Sequence, residues 1–228
     1  MNATSLFHHK EIQTFLEDID FYESNNRKGM GITISPNGDL LFKVYLEILE
    51  SDLIDRYSKI LNLEFNNFKK FKKYANFSLP SSYAIGKKIS SNNEIFNYYH
   101  VKFKHRFSFN NTFYKLKLLD LKKCGTGYSK EYNSNICYRK KYYYVYDLQN
   151  KQTLNSIFNL NTDLTNIDHF EIYSKSKQNY KINFIYNDYK DNFNCSVVNE
   201  LNNLFKKTPV YSGITNNNEK SIYYSFTK

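Results

Sequence analysis

Lysine and tyrosine alternate with apolar residues in several stretches of this chain, and their spacing decides what they can do together. In Lys43-Val44-Tyr45 the ammonium and the phenol are two residues apart. On a β-strand that spacing puts both on one face, with their Cβ atoms roughly 7 Å apart. Such a pair can hold an oxyanion by a charge-assisted hydrogen bond while the ring lies beside it. Lys102, Lys115, Lys117 and Lys181 recur in strand-like contexts. Any one of them is ordinary on a solvated strand face. Their recurrence is what points to a shared anion site.

Other chemistry is thinner. His8 and His9 are adjacent, so they diverge on a helix, and no Cys/His spacing matches a zinc site. His100 and His169 read as polar lining or surface residues. There is no phosphate-binding loop, no GxGxxG and no GxSxG. Glu17, Asp18, Asp20 and Glu23 precede the first strand. Any of them can serve as a general base, although exposed helix acids are the default. The basic run from Lys69 to Lys73 reads as a solvated helix face before it reads as a nucleic-acid contact.

The totals frame these residues. The net charge of +10 over 228 residues implies an anionic partner: nucleic acid, an anionic membrane or a phosphorylated small molecule. Seven Gly and three Pro are too few for a long linker, so one domain is expected over residues 1–228. Cys124, Cys137 and Cys195 are odd in number and lack CxxC spacing. They read as reduced thiols in a cytoplasmic protein. The first twenty residues lack a basic start followed by an apolar run, so no signal peptide is expected. No window approaches eighteen apolar residues, so no membrane partner is expected.

The elements that must position the lysines read as five β-hairpins. In Gly31–Ile48, Ile32 and Ile34 alternate with Gly31, Thr33 and Ser35, then Phe42, Val44, Leu46 and Ile48 with Leu41, Lys43, Tyr45 and Glu47. The Asn37-Gly38 pair between them favours a type I′ turn. The second hairpin is Tyr83–Lys104, turning at Ser90–Asn93, with Tyr98, His100, Lys102 and Lys104 on one face. The third joins Phe113–Leu121 to Lys140–Leu148 through a loop holding Gly125 and Gly127; its run of tyrosines hides which lysine faces inward. In the fourth, His169–Asn187, His169, Glu171, Tyr173, Lys181 and Asn183 oppose Phe170, Ile172, Ile182 and Phe184. The fifth is Val210–Phe226, turning at Asn216–Asn218.

Helical spacing marks Ile12 to Tyr22, a stretch capped by Ser51 with a stripe from Ile54 to Phe71, a short piece at Thr153–Phe158, and Ser196–Lys207. The unit is a hairpin and then usually a helix, with little repeated sequence. The fold class expected is α+β: a closed antiparallel barrel of about ten strands built from five hairpins, with helices packed outside. Such a barrel collects the polar faces into one basic, aromatic lumen.

The strand Phe42–Glu47, the stretch Tyr83–Phe103 and the closing Gly213–Phe226 give the chain a pattern that resembles the ABBA prenyltransferases. The nearest kin in texture are the cyanobactin (peptide) prenyltransferases. The resemblance spreads over Gly31–Phe226 and is one of pattern; no single motif carries it. It implies a barrel that holds an isoprenyl diphosphate and transfers the isoprenyl group to a peptide or aromatic acceptor. Carried over, Lys43, Lys102, Lys115, Lys117 and Lys181 bind diphosphate, and Mg2+ can accompany it. Tyr45, Tyr98 and Tyr173 shield the allylic cation, and Glu23 is the acidic base.

The chemistry suits such a lumen. Charge builds on the departing diphosphate, which cations stabilise. Electron-rich rings attract the carbocation, at about 0.5–2 kcal/mol each. Two other readings remain: a basic nucleic-acid-binding protein, with Lys on phosphates and rings on bases, and a prenyltransferase-like barrel that binds without catalysing.

Overall fold

Strand alternation sorts this chain into an apolar face and a polar face. The computed structural model describes residues 2–20, 27–48, 80–110, 122–131, 137–157, 160, 163–174, 180–187 and 195–226. It is an α+β protein. Its strands are β1 (Arg27–Ile34), β2 (Leu40–Ile48), β3 (Pro80–Ser90), β4 (Ile95–Asn110), β5 (Lys122–Glu131), β6 (Cys137–Val145), β7 (Ile167–Ser174), β8 (Tyr180–Tyr186), β9 (Tyr211–Thr215) and β10 (Lys220–Phe226). The described helices are α1 (Ala3–Phe7), α2 (Lys10–Asp20), α3 (Leu148–Ile157) and α4 (Ser196–Phe205). All strand pairs are antiparallel. Each strand pairs with its sequence neighbours, and β1 pairs with β10 as well as β2, so the pairings form a ring.

Two hydrophobic clusters cover the outside of this ring. In the first, Phe42, Val44 and Leu46 of β2, with Ile85, Ile89, Ile222 and Tyr224, pack under Leu6, Ile12, Phe15, Ile19, Val198 and Leu201 of the helices. Each such side chain contributes roughly 1.5–3 kcal/mol when fully buried. The second cluster joins Tyr143, Val145, Phe170, Ile172, Ile182 and Phe184 to Leu154 of α3. These residues resolve the parity of the tyrosine run: Tyr143 and Val145 face outward. On the first cluster's margin, Lys87 donates to Glu11 at 2.6 Å and holds its carboxyl below the usual range. The pair is partly exposed, so solvent screening limits it to a few tenths of a kcal/mol.

Lys151 anchors α3 more firmly. It is 8% exposed, and its Nζ donates to Ile167 O at 2.9 Å and also to Asp168 O. Lys151→Met keeps the length of the side chain and leaves both carbonyls without that donor. We expect a loss of roughly 1–3 kcal/mol, read as a lower urea midpoint. An unchanged midpoint would mean that water takes over the lysine's role.

Three hairpin tips share one construction, and it corrects two expectations. Ser35–Asp39, Ser90–Glu94 and Thr215–Glu219 each begin with a hydroxyl residue and end with an acid. In each, the first residue's N–H donates to the fifth residue's carbonyl and the fourth N–H donates to the first carbonyl. The hydroxyl also accepts from the fifth N–H, at 2.9 Å, 3.2 Å and 3.1 Å. The fourth residues, Gly38, Asn93 and Asn218, have φ of 86°, 63° and 61°. This is a type I turn closed by a left-handed residue. The type I′ expectation fails because only Gly38 of the Asn37-Gly38 pair has positive φ; Pro36, at the second position, suits type I. The expectation of little repeated sequence also misses this recurring tip.

The third hairpin differs most. Gly125 and Gly127, expected in a loop, lie inside β5, opposite Lys104 and Lys102. Pairing with strands on both sides overrides the weak strand preference of glycine, and the irregular registers beside Gly125 are where such residues are tolerated. Phe113–Leu121 lies outside the described residues. The expected strand end at Leu148 is instead the start of α3, because Asp147 accepts from Asn150 N at 2.8 Å. That helix therefore begins five residues before the expected Thr153. The expected helix from Ser51 to Phe71 and the basic run Lys69–Lys73 lie outside the described residues.

Candidate functional site

The face opposite the two clusters gathers the polar alternates. Across β10, β1, β2 and β3, Tyr223, Gly31, Lys43 and Lys88 stand in one row. The next row runs Gly29, Tyr45, Gly86 and Tyr98. Glycine lets the rings lie flat on their neighbours. A Cβ at Gly31 would come within 2.5 Å of the Tyr223 ring, and one at Gly86 would sit 2.7 Å from Tyr98 and against the Val44 carbonyl.

Ammonium groups fill the space between these rings. Lys43 Nζ lies 4.7 Å from the Tyr45 ring centre, 4.5 Å from that of Tyr98 and 5.7 Å from that of Tyr223. Lys88 Nζ stands 5.2 Å from the Tyr98 ring. Lys181, 4% exposed, donates to Tyr223 Oη at 3.0 Å with its Nζ 4.6 Å from the ring centre. Tyr211 stacks on Tyr223 at 4.3 Å and 17°. Beside them Asn183 Nδ2 donates to Glu171 Oε1 at 3.2 Å. Elsewhere, on β7, Asp168 holds His169 Nδ1 at 2.6 Å, and Tyr146 packs on the His169 ring.

Burial and charge split the phenols. Burial raises Tyr45 well above the ordinary value of 10.0, against a hydrogen bond with Tyr211. Burial also raises Tyr173 and Tyr211, helped by neighbouring groups that disfavour a second negative charge. Burial pushes Tyr223 up too, but the charge and hydrogen bond of Lys181, with Lys88 and Ser221, outweigh it and bring this phenol below 10.0. Absorbance titration should therefore show a tyrosine ionising below the ordinary range. Lys181→Met should remove that early transition, as should Tyr223→Phe; its persistence in either variant would contradict the assignment.

The same shifts predict alkaline behaviour. Above pH 10.0 an unfolded chain sheds its phenolic protons while native Tyr45, Tyr173 and Tyr211 keep theirs. The native state then binds more protons, so stability falls as pH rises, by about 1.4 kcal/mol per pH unit for each such group. Tyr223 acts in the opposite sense, adding stability as pH rises from its lowered value toward 10.0. Urea midpoints measured from about pH 8 to about pH 11 should fall steeply only at the upper end.

Of the residues expected from sequence, Lys43, Lys181, Tyr45, Tyr98 and Tyr173 are described, and the first four converge on the rings around Tyr223. Lys102 is placed by its backbone, opposite Ser82 and Gly127. Its side chain, Lys115, Lys117 and Glu23 lie outside the described residues. Sequence reading missed Lys88, Tyr211 and Tyr223. The alternation of Ile222 and Tyr224 with Tyr223 held the signal for the last of these.

The site's chemistry favours anions. Among the described residues no three His, Cys, Asp or Glu side chains are grouped to hold a metal ion. The charge that the described lysines present is ammonium. Among the described residues no helix is long and apolar enough to cross a membrane. No protein-family model matches the chain, and a search of curated proteins finds no similar one.

Proposed function

We propose that the ring of strands is a closed, ABBA-like barrel whose lumen transfers an isoprenyl group from an allylic diphosphate to a peptide or aromatic acceptor. The observation that carries the reading is the convergence of Lys43, Lys88 and Lys181 on the rings of Tyr45, Tyr98 and Tyr223. Lysines supply the charge that a departing diphosphate needs. The rings supply a water-poor, electron-rich wall for the allylic cation. Lys43 itself stands against that wall. A diphosphate draws the ammonium toward its oxygens, and the vacated rings receive the allyl group. Glu23 is retained in this reading as the base for the acceptor, with Tyr173 in the shield and Lys102, Lys115 and Lys117 as further diphosphate ligands.

A nucleic-acid-binding role fits the net charge of +10. It fits the described site less well, because Lys181 is 4% exposed and turned onto a tyrosine instead of outward toward a polymer. The test is a product assay by mass spectrometry with dimethylallyl and geranyl diphosphate and a panel of peptides and aromatics, alongside release of free diphosphate. Prenylated product is expected. Neither transfer nor diphosphate binding by the wild-type protein would overturn the proposal.

A further inference from the structure

Asn183 spends its amide unevenly. It is 4% exposed, and its Nδ2 donates to Glu171 Oε1 at 3.2 Å. Its Oδ1 is buried and accepts no hydrogen bond among the described residues. The amide cannot simply turn over, because Oδ1 would then face the Glu171 carboxylate, acceptor against acceptor. Oδ1 instead lies over Gly213, where a Cβ would collide with it and would come within 2.5 Å of Lys181 Cε. Lys181 does not satisfy it, since that ammonium reaches on to Tyr223. A buried acceptor left this way is costly, and an aliphatic residue at this position would avoid the cost.

The place of this atom matters. Glu171, Asn183, Gly213 and Ser221 stand in one row across β7 to β10, beside the row of Tyr211 and Tyr223. Asn183 is two residues along β8 from Lys181, roughly 7 Å. One acceptor atom, Asn183 Oδ1, therefore stands beside the lysine site with a donor wanting. We propose that Asn183, held by Glu171, reads an N–H or O–H donor on the acceptor molecule and is a specificity-determining residue of the lumen. This rests on the prenyl-transfer reading for the identity of that molecule as the acceptor. The ligand class is an aromatic or peptide side chain bearing a phenol, indole or similar donor.

The test uses a matched pair of probes, p-cresol and 4-methylanisole, which differ by the hydroxyl hydrogen. Binding is measured by thermal shift and calorimetry on the full chain, with dimethylallyl diphosphate in a separate arm. Wild type is expected to bind p-cresol at least tenfold more tightly than the ether. Asn183→Leu should erase that difference while diphosphate still binds; Asn183→Ala, which also lacks an acceptor, replaces it should the leucine variant not fold. Equal binding of the two probes by wild type, or by neither of them, would overturn the inference. So would a preference that survives in whichever of these variants folds. Loss of diphosphate binding with the p-cresol preference intact would sink the prenyl reading and leave the donor site standing.

Discussion

Lys181→Ala is expected to slow isoprenyl transfer by about 30- to 800-fold, or roughly 2–4 kcal/mol, without unfolding the protein. The lysine is 4% exposed, and its ammonium lies 3.0 Å from Tyr223 Oη. Its charge therefore acts where water screens little, and in the proposed reaction its loss would be felt as the diphosphate leaves. Lys43→Ala should show a loss of the same order, because Lys43 Nζ stands within 5.7 Å of the ring centres of Tyr45, Tyr98 and Tyr223. Single-turnover rates with dimethylallyl diphosphate measure both, with circular dichroism as the control for folding. Wild-type rates in both variants would remove the lysines from the chemistry.

Tyr45 separates ring from hydroxyl. Tyr45→Phe keeps the aromatic wall under Lys43 and loses the hydrogen bond with Tyr211. It should cost about 0.5–1.5 kcal/mol of stability and little activity. Tyr45→Ala removes the partly buried ring altogether and should cost more stability than Tyr45→Phe, by analogy with other large-to-small changes. It also opens the wall to water, so the ratio of diphosphate hydrolysis to transfer should rise several-fold. Product and free diphosphate measured in one reaction give that ratio. An unchanged ratio in Tyr45→Ala would mean that the ring does not shield the reacting carbon.

Much of the fold was legible because β2 alternates cleanly. Phe42, Val44 and Leu46 each have a polar neighbour, and all three are buried under helices. β5 was not legible: its sequence has two glycines and almost no apolar residue, so only pairing with its neighbours makes it a strand. Tyrosine blurred the rest. Tyr143 and Tyr224 serve the outer clusters while Tyr45 and Tyr223 serve the inner face, and an amphipathic side chain fits either. The same holds for adjacent lysines, since Lys87 goes outward to Glu11 and Lys88 inward to Tyr98. The open acceptor on Asn183 had no sequence signal, because it arises from the amide's partners and from the missing side chain of Gly213.

The central claim is that the inner lysines and tyrosines form one buried anion site. Calorimetric titration with dimethylallyl diphosphate at low and at physiological salt tests it most directly, with a short single-stranded DNA titrated in parallel. A buried site predicts diphosphate binding that weakens only modestly with salt, is lost in Lys43→Ala and Lys181→Ala, and has no counterpart for DNA. Tight DNA binding that collapses steeply with salt, with no diphosphate binding, would contradict the account.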